Sequence, residues 1–358
     1  MEDSLIEDDE LSLKERSVLP KAEFFVLDSV REERKESKLS ESVAGRDVVM
    51  LVDGDADGLA AVALAREVYD DVGYFDTSPN SLRDSIEKFA EKVEEGVEVF
   101  VVDLCLDDVE GVEDELRGIV ERASEAHWYD HHQWDDDTVD DLGAMGYDIV
   151  IGESDEVCSA DVTLDEFERM GHSFDDEMVE LVKVTRDHDL WINDDPRSED
   201  LADLSVYLSA DEYLDIIEDG VDFDDETLDF LAEKREEKEN LIELAVERAD
   251  FYEVAGFEIA QTYGRCSQNE VAEELRERGA DAVTVVKPEG GMSLRGSDSF
   301  ERCHKVAREL GGGGHPRAAG CKPDVFDTML DYAEHWVSRG EPAHEEALEA
   351  FESVLDTA

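Results

Sequence analysis

The sequence predicts an α/β fold, a doubly wound parallel sheet joined by a helical connector to a smaller α/β domain with a mixed sheet. Three patterns carry this prediction. Apolar strands alternate with helical stretches from about residue 46 to 195, residues 199–250 read as helix throughout, and strands return from residue 257 in a new arrangement. The expected divisions are an acidic helical leader over 1–45, a first α/β domain over 46–198, a helical connector over 199–250, a second domain over 251–340 and an acidic tail over 341–358.

In the leader, one amphipathic helix is expected around Lys21 to Lys38. The first domain is organised around Val48 to Ala63, VVMLVDGDADGLAAVA. Its unbroken apolar run reads as a parallel strand buried on both faces, and Gly58 supplies a tight turn into a crossover helix. Further strands are expected near Val72 to Phe75, Val97 to Val102, Ala126 to Tyr129 and Asp148 to Gly152, with helices between them such as Leu59 to Tyr69 and Leu82 to Val93. In the connector, Glu226 to Asp250 is apolar at both ends around the polar middle EKREEKEN, the pattern of a helix bridging two domains. The second domain should hold a strand Phe257 to Tyr263, a helix Asn269 to Arg278, a hairpin pairing Ala282 to Val286 with Met292 to Arg295, a helix Glu301 to Leu310, the run GGGGHPRAAG and a last helix Val325 to Val337.

Composition narrows the class. Of 358 residues, 99 are acidic and 33 basic, giving a net charge of -66, while 41% are hydrophobic. That hydrophobic share and its periodicity argue for a folded chain over a disordered one. The charge is then an adaptation to near-molar salt, where a Debye length of about 3 Å screens self-repulsion, and it suggests a halophilic source. Five cysteines without a Cys-X-X-Cys pair read as reduced thiols of a cytoplasmic protein. No apolar run approaches a membrane span, and the amino terminus is acidic where a signal peptide would be basic.

Asp53, Asp55 and Asp57 follow the first strand, at the sheet edge where open α/β proteins bind ligands. Carboxylates so close repel one another unless a cation sits among them. An EF-hand is excluded because position twelve is Leu64 and a strand precedes the loop. A haloacid-dehalogenase-like phosphatase would carry Thr or Val at Asp57. Solvated surface acids are common in such a chain, and Asp135 to Asp137 and Asp222 to Asp225 read that way, so position at a strand end must discriminate. Asp103 follows a strand, Asp130-His131-His132 follows another, and Asp187-His188-Asp189 ends a helix expected over Met178 to Arg186.

These residues, in this order, resemble the DHH phosphoesterases, and GGGGHPRAAG at 311–320 resembles the signature of their associated carboxyl-terminal domain. The resemblance spans about residues 46–325. Many members carry His where this chain has Leu51, so it follows the RecJ-like pattern, with Asp53 the extra acid. The resemblance implies two divalent ions, manganese preferred, held by Asp53 and Asp55 on one side and Asp57 and His131 on the other, with Asp103 and Asp187 bridging. His132 would contact the scissile phosphate or protonate the leaving oxygen, and Asp130 would orient the histidines. Gly312, Gly313, Gly314, His315, Arg317 and Arg295 would hold the substrate's terminal nucleotide; a turn after Leu310 is the bland alternative for the glycines. Arg265 is a further candidate for the same role, whereas Trp191 reads as core and His188 and Asp189 as outer or solvent groups.

The implied activity is hydrolysis of short RNA or single-stranded DNA to nucleoside monophosphates, in the manner of RecJ-like or nano-RNase-like enzymes. Alternatives are hydrolysis of a cyclic dinucleotide or of 3'-phosphoadenosine 5'-phosphate, and a non-catalytic replication or repair partner. The expected partner is a short oligonucleotide, a homodimer is left open, and no membrane is expected.

Overall fold

The computed structural model describes residues 28–288, 290–323 and 329–356. They fall into two compact units, within Val26–Leu231 and Ala232–Ala358. Residues 21–27 of the expected leader helix lie outside the described range; its remainder is α1 (Asp28–Val43).

The first unit runs β1 (Val48–Asp53), α2 (Ala56–Val68), β2 (Val72–Thr77), α3 (Leu82–Lys92), β3 (Glu98–Val102), α4 (Glu113–Arg122), β4 (Glu125–Asp130), α5 (Asp136–Met145) and β5 (Asp148–Ile151). Four helices follow, α6 (Ser159–Met170), α7 (Asp176–Asp189), α8 (Arg197–Tyr207) and α9 (Ala210–Ile217). The five strands are all parallel, in the order β2-β1-β3-β4-β5. Strand order therefore reverses between β1 and β3, and the crevice outside their carboxyl ends is the ligand position of such a sheet.

Alternate residues of each strand feed two cores. Met50, Val52, Phe100, Val102 and Tyr129 pack against α2 and the helices around it. Val49, Leu51, Val99, Val101 and Trp128 pack against Leu39 of α1, Phe89 of α3, Leu116 of α4 and Leu142 of α5. The apolar, both-faces-buried pattern of β1 follows directly from this sandwich. Helix α2 is buried from Ala56 to Ala65, which its small side chains allow. Adding a Cβ to Gly58 would place it 2.3 Å from the Asp53 carbonyl oxygen, so only glycine permits this strand-to-helix turn.

Helix α10 (Asp225–Glu247) runs through the boundary between the units as one element. The second unit has β6 (Asp250–Val254), β7 (Phe257–Tyr263), α11 (Gln268–Glu277), β8 (Ala282–Val286), β9 (Met292–Gly296), α12 (Cys303–Glu309), β10 (Gly313–Gly314), β11 (Ala318–Cys321), α13 (Met329–Ser338) and α14 (Glu341–Asp356). Its sheet is mixed, ordered β10-β11-β9-β8-β7-β6, with β7 and β8 its parallel pair. The acidic tail is an integral helix: Ala343, Ala347, Ala350 and Phe351 of α14 are buried in this unit's cores.

Candidate metal centre

Each acid of the first motif is fixed by backbone N-H groups of its own turn or of a neighbouring helix. Asp55 is the N-cap of α2 and accepts from the Asp57 and Gly58 N-H groups at 3.0 and 3.2 Å. Asp53, at the end of β1, accepts from the Gly54 N-H at 2.6 Å. Asp57 is buried, and its two oxygens accept from the Ser159 and Ala160 N-H groups at 2.7 and 2.8 Å. The carboxylate thus sits at the amino end of α6, where the helix dipole favours negative charge. Burial, and then repulsion from Asp189 and Asp55, nevertheless push its pKa up to about 8.

Asp103 follows β3 with a positive φ of 61°, a conformation that a short polar side chain tolerates and that clusters at functional sites. It is buried; burial and repulsion from Asp57, Asp55 and Asp130 raise its pKa well above the ordinary range. Its Oδ1 accepts from the Ser159 hydroxyl at 3.0 Å.

Asp130 organises the histidine pair. Its Oδ1 accepts from the His131 N-H and from His132 Nδ1, both at 2.8 Å, and its Oδ2 accepts from Trp134 Nε1 at 2.7 Å. Burial alone would raise the Asp130 pKa, but these bonds, led by that from His132, hold it below the usual value. The same bond raises the His132 pKa. His131 instead turns its Nε2 inward, 3.3 Å from Asp189 Oδ2, 3.8 Å from Asp103 Oδ1 and 4.0 Å from Asp57 Oδ2.

Two groups of potential ligand atoms result. Asp53, Asp55 and Asp103 form one, Asp57, His131 and Asp189 the other, and Asp103 also lies with His131 and His132. Asp189 Oδ2 is buried without a hydrogen-bond partner, the state expected of a ligand awaiting its cation. Hard oxygens joined by one imidazole fit a divalent ion such as manganese or magnesium.

One expected ligand is displaced. Asp187 does not enter either group, because its oxygens accept from the Asp194 and Asp195 N-H groups at 3.0 and 3.1 Å and hold the turn after α7. Although burial pulls its pKa upward, bonds from Ser198 and these N-H groups bring it below the usual value. Asp189, expected as an outer group, lies instead beside Asp57 and His131. Ser159 was missed altogether: it serves Asp57, Asp103 and Asp130 at once. The signal available was Cys158 and Asp161 flanking it, which form a capping box at the start of α6. Trp191 is also not core: it is 80% exposed, has a positive φ and stacks on His188 at 6.1 Å.

In the second unit, Arg295, Gly313 and Gly314 line an open cavity of about 390 Å³ with Gln268 and Lys287. Arg295 and Arg317 line another of about 700 Å³ with Asn269 and Arg276. Arg295 is held by Asn269 Oδ1 at 2.8 Å, and Arg317 pairs with Asp298. Gly312 and His315 line neither cavity. Gly312 is a packing position, since a Cβ there would fall 2.2 Å from the Gly320 carbonyl oxygen. The glycine run is therefore a short hairpin, β10 against β11.

No family model matches this sequence, and no curated protein matches it. The structure does match solved ones. A manganese-bound exonuclease RecJ aligns over 92% of this chain and 95% of its own, at 18% identity and a TM-score of 0.51. RecJ from Thermus thermophilus with Mn2+ aligns over 95% of this chain and 57% of its own, at 18% identity and 0.48. A pGpG-specific phosphodiesterase from Vibrio cholerae aligns over 85% and 99%, at 15% and 0.46. What is shared at these identities is the fold, and the first match establishes it. The chain shares the two-sheet fold of that exonuclease RecJ and carries an acid and histidine cluster at the switch point of its parallel sheet. Its two α/β units, one with a parallel and one with a mixed sheet, are the arrangement that the resemblance of the DGDADG and DHH runs implied.

Proposed function

We propose that this chain is a cytoplasmic, metal-dependent phosphodiesterase of the RecJ-like or nano-RNase-like kind, releasing nucleoside monophosphates from short RNA or single-stranded DNA. The observation that carries the reading is the meeting of Asp57, Asp103, His131 and Asp189, from four separate segments, beyond the ends of β1 and β3. Asp53, Asp55 and Asp103 would hold one ion and Asp57, His131 and Asp189 a second, with manganese preferred for the imidazole. Such ions, when bound, neutralise phosphate charge and lower the pKa of water.

The chain's own groups supply the rest. His132 is half-exposed beside this cluster, with Nδ1 engaged by Asp130 and Nε2 left to hold a proton for the leaving oxygen. Arg295 is suited to grip the terminal nucleotide's phosphate through its guanidinium, in the cavity it lines with Gly313 and Gly314. A net charge of -66 repels long polyanions, which favours substrates of a few nucleotides.

The test is one panel, with manganese and with chelator, of a labelled dinucleotide, long RNA, long single-stranded DNA, a cyclic dinucleotide and 3'-phosphoadenosine 5'-phosphate. The expected result is manganese-dependent cleavage of the dinucleotide, abolished by chelator and by Asp130→Ala. Processive loss of long strands with dinucleotides untouched would overturn the short-substrate reading, and silence across the panel would overturn the hydrolase.

A further inference from the structure

The same sheet carries a second cluster at its opposite edge. Glu98 opens β3, Glu125 opens β4, and His127 lies two residues on, so all three side chains project from one face. His127 is 3% exposed, and its Nε2 has no hydrogen-bond partner. That nitrogen faces Glu98 Oε1 at 3.4 Å and Glu125 Oε2 at 3.6 Å. The other ring nitrogen, Nδ1, has the Tyr129 hydroxyl at 3.2 Å and Asp148 Oδ2 at 3.4 Å.

We propose that Glu98, Glu125 and His127 form a second divalent-cation site, separate from the candidate catalytic centre and suited to an ion of the zinc class. The distances are those of ligands around a tetrahedral ion: two atoms each about 2.1 Å from it stand about 3.4 Å apart. With the ring proton on Nδ1, facing the Asp148 carboxylate and the Tyr129 hydroxyl oxygen, the Nε2 lone pair is directed toward the two glutamates, the usual arrangement of a metal-ligating imidazole. Phe100, stacked on the ring at 4.7 Å and 16°, fixes its plane. The Tyr69 hydroxyl donates to Glu98 Oε1 at 3.2 Å and steadies the first carboxylate. Glu125 is exposed, its side chain at 69%, so an ion can enter from solvent and water can complete the shell. Imidazole ligation selects zinc or cobalt over magnesium and calcium.

The role is a staple. An ion here ties the starts of β3 and β4, whose far ends carry Asp103 and Asp130 about 16 Å away at about 3.3 Å per residue. The full chain, metal-stripped and dialysed against zinc, is compared with Glu125→Gln and His127→Gln by metal analysis and thermal melting, and cobalt loading adds the visible spectrum. Wild type should retain one more equivalent than either variant, melt higher with zinc than Glu125→Gln does, and show intense tetrahedral cobalt bands that both variants lose. Equal metal content in the wild type and Glu125→Gln, or cobalt bands that survive in that variant, would overturn the site. Because Glu125 is at the surface, its variant decides the matter even if His127→Gln fails to fold.

Discussion

The choice between Asp187 and Asp189 shows what a single side chain decides. Both lie near the end of α7, and at about 100° per residue two positions apart point to nearly opposite sides, so only one can face the strand ends. The sequence reading favoured Asp187, whereas the hydrogen bonds engage Asp187 with the turn after α7 and leave Asp189 beside Asp57 and His131. Asp189→Asn is expected to weaken manganese binding at least tenfold and to cut hydrolysis at least a hundredfold. Asp187→Asn, by calorimetry and urea melts, should leave metal affinity nearly intact and cost about 1–3 kcal/mol of stability, because two backbone donors lose a charged acceptor. Asp57 adds a pH dependence whose sign is fixed. Its folded pKa of about 8 lies above the unfolded carboxylate value, so the metal-free chain loses stability as pH rises from about 4 to 8 and levels off beyond. A divalent ion must displace that proton, so its affinity should climb over the same window by up to about tenfold per pH unit for each proton released. Titrations in the chelator-treated protein and in Asp57→Asn, which should flatten both slopes, check this. Trp191, exposed beside Asp189, offers a face to a nucleobase; Trp191→Ala should raise KM for a dinucleotide roughly tenfold with kcat nearly unchanged.

At the scale of elements, the turn from β1 to α2 has the least freedom. Gly58→Ala drives a Cβ into the Asp53 carbonyl and should cost about 1–3 kcal/mol or more while loosening the first acid group. Gly143→Ala is the contrast: inside α5 with nothing within 4 Å, it should raise stability by about 0.5–1 kcal/mol, read as a higher urea midpoint. Strands and helices of the first unit were legible because burial on both faces writes itself as apolar runs, and DGDADG could be placed at a strand end without coordinates. The glycine hairpin was not legible. Gly313 and Gly314 carry no side-chain pattern, and their pairing with Ala319 and Gly320 is a backbone property. β6 was missed because its side chains are largely exposed, which removes the alternation a half-buried strand would show. The tail hid its role for a related reason: α14 buries small alanines at Ala343, Ala347 and Ala350 beneath an acidic outer face, and composition weighs the acids first.

For the molecule as a whole, charge sets the conditions under which any of this geometry persists. With 33 lysines and arginines against 99 acidic residues there is one such cation for every three acids, and the excess carboxylates repel one another across the surface. Exposed pairs such as Lys38 with Asp76 or Arg83 with Asp108 contribute little each and do not offset that repulsion. Screening can. The Debye length falls from about 10 Å at 0.1 M salt to about 3 Å at 1 M, from beyond the spacing of neighbouring surface charges to below it. Unfolding free energies from urea melts should therefore rise steeply between 0.1 and 1 M potassium chloride and flatten above, by several kcal/mol in total, with the unfolding slope unchanged if the native state keeps its compactness. The salt and metal responses are separable: a manganese ion held as proposed by Asp57, Asp103, His131 and Asp189 would stabilise by mass action, so in the Asp57→Asn and Asp189→Asn variants the potassium chloride response should remain while the manganese increment shrinks. A midpoint indifferent to potassium chloride would show that repulsion is relieved by some means other than screening, and the salt-adapted reading of the surface would fall.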